Sequence, residues 1–143
     1  MSRLIVTKAE FQELAEKRLA EAKALLDQGE WDGAYYLAGY AVELALKACI
    51  IKTLLATDAF PDKEFSKNCY THDVEKLVGL AKLDGLRKTA MNADPDLWTN
   101  WRFAKDWSEE KRYHRIDQTE AENLYAAIAD AVHGVLPWIK TQW

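Results

Sequence analysis

Two ionisable side chains interrupt a long apolar stretch of this chain, and they are the first candidates for chemistry. Glu43 and Lys47 lie four residues apart, and Tyr36 and Tyr40 precede them at helical intervals. On a helix this spacing places the four side chains on one face, with glutamate and lysine in the favourable order for an ion pair. The structural interpretation is a buried ion pair beside two tyrosines, because buried charges mostly need only a partner. The functional alternative is a polar groove that contacts a ligand or a second subunit, with Lys47 facing a cavity.

A second candidate is a group of basic and aromatic residues in the last third of the chain. Its members are Lys111, Arg112, Tyr113, His114 and Arg115, with Arg102 and Lys105 just upstream. Arginines beside aromatic rings suit contact with phosphate and stacking on nucleic-acid bases. The alternative is a loop of solvated charges that covers a tryptophan-rich part of the core.

The three histidines are the candidate general bases. His72 stands at the start of a predicted helix, where a local hydrogen bond is the alternative to catalysis, and His114 has arginines on both sides. His133 falls outside the apolar stripe of the last predicted helix, so we interpret it as a surface residue. No Ser/His/Asp pattern, zinc-ligand spacing, P-loop or dinucleotide-binding fingerprint occurs. We therefore expect neither a metal nor a cofactor.

Composition indicates an ordinary globular chain that forms one domain over residues 1–143. Apolar residues make up 49% of the sequence and charged residues 29%, with a net charge of −4. This mildly acidic balance predicts no general attraction to nucleic acid, although a local basic patch remains compatible with it. Cys49 and Cys69 form no CxxC pair, which favours a reducing environment. No signal peptide or uncharged stretch of transmembrane length is evident, so we expect a cytoplasmic protein without a membrane partner.

Helical periodicity predicts the elements that position these residues, after a short tail over residues 1–6. A capping-box pattern at Thr7 and Glu10 starts a first helix, which Gly29 ends. Residues 31–55 form a central helix with Asp32 as its N-cap. A stripe of small residues on this helix predicts close packing against its neighbours: Ala34, Ala38, Ala41, Ala45 and Ala48.

Shorter helices are predicted in the second half of the chain. After a loop over residues 60–68, Thr71 is expected to cap a third helix, residues 86–93 to form a weak one, and Asp96 to cap the next. Thr119, with Glu122, is expected to start a final long helix that reaches Ile139 and is kinked or frayed by Pro137. Core packing is predicted for Trp98, Trp101 and Trp107. No strand pattern is present, so the predicted fold class is all-α.

Four segments together resemble the HEPN family, small helical domains named for higher eukaryotes and prokaryotes nucleotide-binding. They are GEWDGAYYLAGYAVELALKA (29–48), THDVEKL (71–77), the Arg112-Tyr113 pair and TEAENL (119–124). The most specific part is the A-x-x-A-x-E-x-x-x-K pattern at Ala38, Ala41, Glu43 and Lys47, accompanied by the Thr-His and Arg-Tyr pairs. The resemblance runs from about residue 11 to residue 139.

The resemblance implies an up-and-down bundle of four long helices plus a short fifth helix, which usually forms a two-fold dimer. It also implies a possible nucleotidyltransferase-type partner, since many relatives are encoded beside one in toxin–antitoxin or defence systems. Active relatives are metal-independent ribonucleases in which a histidine follows an arginine after four to six residues. Here His114 follows Arg112 after one residue, and neither Arg102 nor Arg115 has a histidine at the required distance. The usual ribonuclease motif is absent, which favours the non-catalytic branch of the family.

Three hypotheses of function follow from this resemblance. The first is a non-catalytic homodimer that binds a nucleotide or RNA, or docks a nucleotidyltransferase. It assigns ligand binding to Arg112, Tyr113, Arg115, Arg102 and Lys47, and a structural role to Glu43, Tyr36 and Tyr40. The second is a ribonuclease in which His114 or His72 is the base and Arg112 or Arg102 contacts the phosphate. The third is a purely structural dimerisation module.

Overall fold

The computed structural model describes residues 6–143, and the predicted tail lies outside the described residues except for Val6. The described chain is all-α, as predicted, and contains no strand. It forms more and shorter helices than the four long and one short that the resemblance implied. They are α1 (Lys8–Asp27), α2 (Trp31–Thr57), α3 (Lys63–Asn68), α4 (Val74–Leu80), α5 (Asp84–Ala93), α6 (Pro95–Lys105), a 3₁₀ turn (Glu109–Tyr113), α7 (Gln118–Ala129) and α8 (Val135–Lys140).

Helices α1 and α2 form an antiparallel pair joined by a short connection. The capping box at Thr7 and Glu10 is present, and Gly29 adopts a φ of +75° where the chain reverses. A positive φ strains residues with a Cβ, so glycine suits this turn. The two helices approach closely because small residues line both contact faces; those with no exposed surface include Ala15, Ala22, Ala38, Ala41 and Ala45.

Helix α2 is the centre of the fold, as predicted. It packs against α1, α4, α7, α8 and the 3₁₀ turn. By length and composition it could cross a membrane, a property that buried core helices share, and 72% of its most apolar window is buried inside the protein. Its five striped alanines are all fully buried.

Three predicted N-caps are each wrong by two residues. The side chain of Asp73, not Thr71, caps α4, and Asp94, not Asp96, caps α6. Asp117, not Thr119, caps α7. In each case two capping-competent residues lie close together, and the aspartate nearer the actual turn accepts the helix-start N–H.

Asp32 is not the N-cap of α2, because that helix starts one residue earlier at Trp31 with Glu30 in the cap position. The Asp32 carboxylate instead accepts a hydrogen bond from the backbone N–H of Ile116 at 2.6 Å. This bond ties the start of the central helix to the segment that leads into α7.

The final helix is not continuous, contrary to the prediction. It stops at Ala129 and resumes at Val135. The Asp130 side chain accepts the N–H groups of Val132 and His133, and a Cβ at Gly134 would lie only 2.2 Å from the Asp130 carbonyl oxygen. A tight turn that only glycine allows therefore separates α7 from α8.

Two further differences concern the segment before α4 and the helix α6. The segment predicted as a loop over residues 60–68 contains α3, whose cap is Asp62. Trp101 and Trp107 are buried as predicted, but Trp98 is exposed, because it lies on the outer face of α6.

Candidate functional site

Glu43 is the centre of the candidate site. Its side chain is 1% exposed. Among residues 6–143, Glu43 is the one charged residue that is buried. Lys47 Nζ donates to Glu43 Oε2 at 3.1 Å, and His72 Nδ1 lies 2.8 Å from Glu43 Oε1. The ion pair predicted from the spacing on α2 is therefore present. His72 is a third member, brought in from the connection between α3 and α4.

The second nitrogen of the His72 ring contacts a second carboxylate. His72 Nε2 lies 3.1 Å from Glu109 Oε2, and Arg112 Nη1 lies 3.7 Å from the same oxygen. Lys47, Glu43, His72, Glu109 and Arg112 thus form a continuous chain of polar contacts, called the Glu43–Arg112 network below. It joins α2 to the 3₁₀ turn.

The geometry determines what His72 can do. An ionised carboxylate only accepts hydrogen bonds, so a ring that contacts Glu43 and Glu109 together donates from both nitrogens. A histidine in that arrangement binds an anion and has no free nitrogen with which to abstract a proton. Glu109 has to move away before His72 can serve as a general base.

Arg112 is held by aromatic side chains. Its guanidinium carbon lies 4.8 Å from the centre of the Tyr113 ring. The Tyr113 side chain, and then that of Tyr36, raise the pKa of Arg112 above its ordinary value. Arg112 and Tyr113 are both exposed, so the positive charge and the ring remain accessible from solvent.

Two tyrosines of α2 support this surface. The rings of Tyr36 and Tyr40 stack with centres 6.0 Å apart and planes 8° from parallel, and Tyr36 also contacts Trp107. Burial, and then the charge of Glu43, raise the pKa of the Tyr40 hydroxyl. Tyr36 and Tyr40 therefore lie on the same face of α2 as Glu43 and Lys47, as the spacing predicted. Tyr36 lies at the end of this face that is near Arg112.

Trp107 anchors the segment that carries Glu109 and Arg112. Its ring packs against the backbone of α2 at Gly39, where an added Cβ would lie 2.2 Å from Trp107 Cδ1. Ser108 follows and caps the 3₁₀ turn by accepting the N–H of Glu110. A glycine on the central helix thus allows the 3₁₀ turn to approach His72.

The remaining predicted site residues are not part of the network. His114, Arg115 and Arg102 are exposed, and within residues 6–143 their side chains form no hydrogen bond or ion pair. Lys47 lies at the opposite end of the network from Arg112 and lines a separate pocket. Sequence reasoning overlooked Glu109; its one signal is the i,i+3 spacing to Arg112, which resembles many surface pairs.

A second cluster lies at the turn between α7 and α8. His133 Nδ1 lies 2.7 Å from Asp94 Oδ2, and its Nε2 lies 3.7 Å from Asp96 Oδ2. The hydrogen bond with Asp94 raises the pKa of His133, and the same bond lowers the pKa of Asp94. These three residues offer ligand atoms within 4.8 Å of one another. The N-cap of α6 and the ion pair with His133 already account for the position of Asp94.

Comparison with known proteins agrees with the pattern in the sequence. A family model described as HEPN domain matches residues 9–140. Neither a search of curated proteins nor a search of solved structures returned a match. The model covers nearly the whole chain, including both ends of the Glu43–Arg112 network, and the chain belongs to the HEPN domain family.

Proposed function

We propose that this chain is a non-catalytic HEPN-family module that binds a phosphate-bearing ligand, a nucleotide or RNA, in the cytoplasm. The observation that carries the proposal is the position of Glu109. Its Oε2 atom lies between His72 Nε2 and Arg112 Nη1, at 3.1 and 3.7 Å. An anionic oxygen between an imidazole and a guanidinium is the arrangement that a phosphate oxygen would adopt.

The surrounding residues suit this ligand. Arg112 offers a planar set of donors that matches two phosphate oxygens, and the exposed ring of Tyr113 beside it can stack on a base. Glu43 holds His72 through Nδ1, which directs Nε2 toward the anion. Glu109 is half-buried at the start of a short 3₁₀ turn, so the ligand displaces a local side chain and leaves the core unchanged.

Titration with ATP, GTP and a short RNA tests the proposal. We expect Arg112→Ala to weaken binding by about 10- to 100-fold, since a hydrogen bond to a charged group contributes about 1.5–3 kcal/mol. Arg102→Ala is the matched control, because Arg102 is equally exposed and lies outside the network; its affinity should stay within about twofold of the wild type. Absence of binding by all three ligands would refute the ligand-binding function.

A second test removes the charge of Glu109, whose carboxylate occupies the position proposed for a phosphate oxygen. Glu109→Gln keeps the size of the side chain but removes its charge, so we expect several-fold tighter binding, on the order of one charge-assisted contact. Weaker binding would show that Glu109 belongs to the ligand site and does not compete with the ligand.

A metal-independent ribonuclease is the second candidate, and one observation favours it. His72 is oriented by a buried carboxylate and faces an arginine, which is how a general base and a phosphate-binding group are arranged in catalytic sites. Cleavage of RNA in the presence of EDTA, abolished by His72→Gln and retained by His133→Gln, would support it. Intact RNA under these conditions would exclude it.

We further propose that the chain assembles as a homodimer and docks a nucleotidyltransferase-type partner. The implied dimer of related domains and the exposed Arg112 surface support this assembly. Light scattering gives the mass of the chain alone, and a monomer at all concentrations would refute the dimer.

A further inference from the structure

A pocket lies between α1, α2 and α3. Its volume is about 420 Å³, which is within the range of sites that bind small molecules. The lining is mainly apolar and includes Phe11 from α1, Ile50 and Leu54 from α2, and Phe65 from α3. Such a pocket suits a ligand with a ring system or a short acyl chain.

Among residues 6–143, Lys47 is the one charged side chain that lines this pocket. It is 16% exposed, and its hydrogen bond to Glu43 uses one of its three N–H donors. The structure gives Lys47 no other partner within residues 6–143. The other two donors of this partly buried ammonium are therefore available to an acidic group on a ligand in the pocket.

We propose that this pocket binds small amphiphilic anions, with the apolar body among Phe11, Leu54 and Phe65 and the acidic group on Lys47. The ligand is a different chemical class from the phosphate ligand at Arg112. Lys47 and Arg112 lie at opposite ends of the Glu43–Arg112 network, so the two sites do not share a donor. Lys47 therefore serves the pocket and does not contact the nucleotide.

Two fluorescent probes with related apolar bodies test the proposal: 1-anilinonaphthalene-8-sulfonate, which carries an anion, and N-phenyl-1-naphthylamine, which carries none. We expect both to bind the wild type saturably. Lys47→Met should weaken binding of the sulfonate by about tenfold or more, since one charge-assisted contact is lost, and change binding of the neutral probe by less than about twofold.

Lys52→Met is the matched control. Lys52 lies on the same helix, is exposed, and donates to the Gln142 carbonyl at 3.0 Å. The Lys52→Met variant should leave the affinity for both probes unchanged. Failure of the sulfonate to saturate, equal weakening of both probes by Lys47→Met, or the same effect from Lys52→Met would overturn the proposal.

A second measurement uses the wild-type protein and does not depend on how the variants fold. Cys69 lines the pocket, whereas Cys49 is buried in the core. Burial raises the pKa of the Cys69 thiol, and the charge of Lys47 acts in the opposite direction. Saturating sulfonate should slow alkylation of Cys69 by several-fold, measured residue by residue by mass spectrometry. An unchanged rate would show that the probe binds elsewhere and would overturn the proposal.

The two sites can be separated experimentally. Arg112→Ala should leave the affinity for both probes unchanged, and saturating probe should leave nucleotide affinity unchanged. Loss of probe binding in Arg112→Ala would mean that there is one site and would contradict the assignment of Lys47 to a separate pocket.

Discussion

Replacing Glu43 by alanine should lower the free energy of unfolding by about 3 kcal/mol. The side chain is 1% exposed and forms two charge-assisted contacts, with Lys47 at 3.1 Å and with His72 at 2.8 Å. Removing one partner of a fully buried pair costs about 3–5 kcal/mol. The lower end applies here, because Lys47 and His72 are 16% and 40% exposed and regain water when the carboxylate is removed.

Urea unfolding followed by tryptophan fluorescence gives the free energy directly. For a chain of this size, 3 kcal/mol corresponds to a decrease in melting temperature of roughly 10 °C. Glu43→Gln keeps the volume and an acceptor oxygen, so it should cost less than alanine. Glu13→Ala is the control, since Glu13 is an exposed glutamate on α1 and should change stability by no more than about 0.5 kcal/mol.

Two outcomes would refute this reasoning. One is a loss below about 1 kcal/mol for Glu43→Ala, indistinguishable from Glu13→Ala, which would mean that the buried contacts contribute nothing net. The other is a variant with unchanged stability that no longer binds nucleotide. That result would assign Glu43 to the ligand and not to the fold.

Three further predictions concern the packing and the caps. Gly39→Ala should destabilise the protein by about 1–3 kcal/mol in urea unfolding, because the new Cβ would lie 2.2 Å from the buried ring of Trp107. Asp32→Ala should cost about 1–3 kcal/mol in the same assay, because it removes the acceptor of a half-buried backbone N–H bond. The contact between His133 and Asp94 should stabilise the fold fully between pH 3.8 and 6.5, the ordinary pKa values of the two groups. Its contribution should fall as pH rises through the raised pKa of His133 or falls through the lowered pKa of Asp94, measured as the difference in melting temperature between the wild type and His133→Gln.

The first two of these predictions have a control variant. Gly33→Ala on the same helix meets only the flexible Leu25 side chain, so it should be close to neutral or stabilising. Asp32→Asn keeps the acceptor and should cost less than alanine. A Gly39→Ala variant as stable as Gly33→Ala, or a difference between wild type and His133→Gln that is independent of pH, would contradict the respective argument.

Local patterns predicted helix existence more accurately than helix boundaries. The capping box at Thr7 was correct because one side-chain pair dominates that turn. Where two capping residues lie close together, as Thr71 and Asp73 do, the pattern has no means of choosing between them. The choice depends on the direction in which the chain must turn to pack Val74 into the core.

The break between α7 and α8 illustrates the same limit. An apolar stripe with helical spacing continues through residues 121–139, so periodicity predicted one helix. The Asp130 side chain competes for the local N–H groups, and Gly134 permits the tight turn. Val132, an apolar residue of that stripe, lies in this turn and is exposed.

The sequence by itself determined the all-α class, the central helix, its alanine stripe and the Glu43–Lys47 pair, because each depends on residues within about one or two helical turns of one another. The family also followed from the sequence, and the match over residues 9–140 confirms it. Only the tertiary structure decided that His72 lies between Glu43 and Glu109 and that Lys47 faces a separate pocket. These contacts join segments far apart in the chain, so they depend on how the helices pack, and no local spacing encodes them.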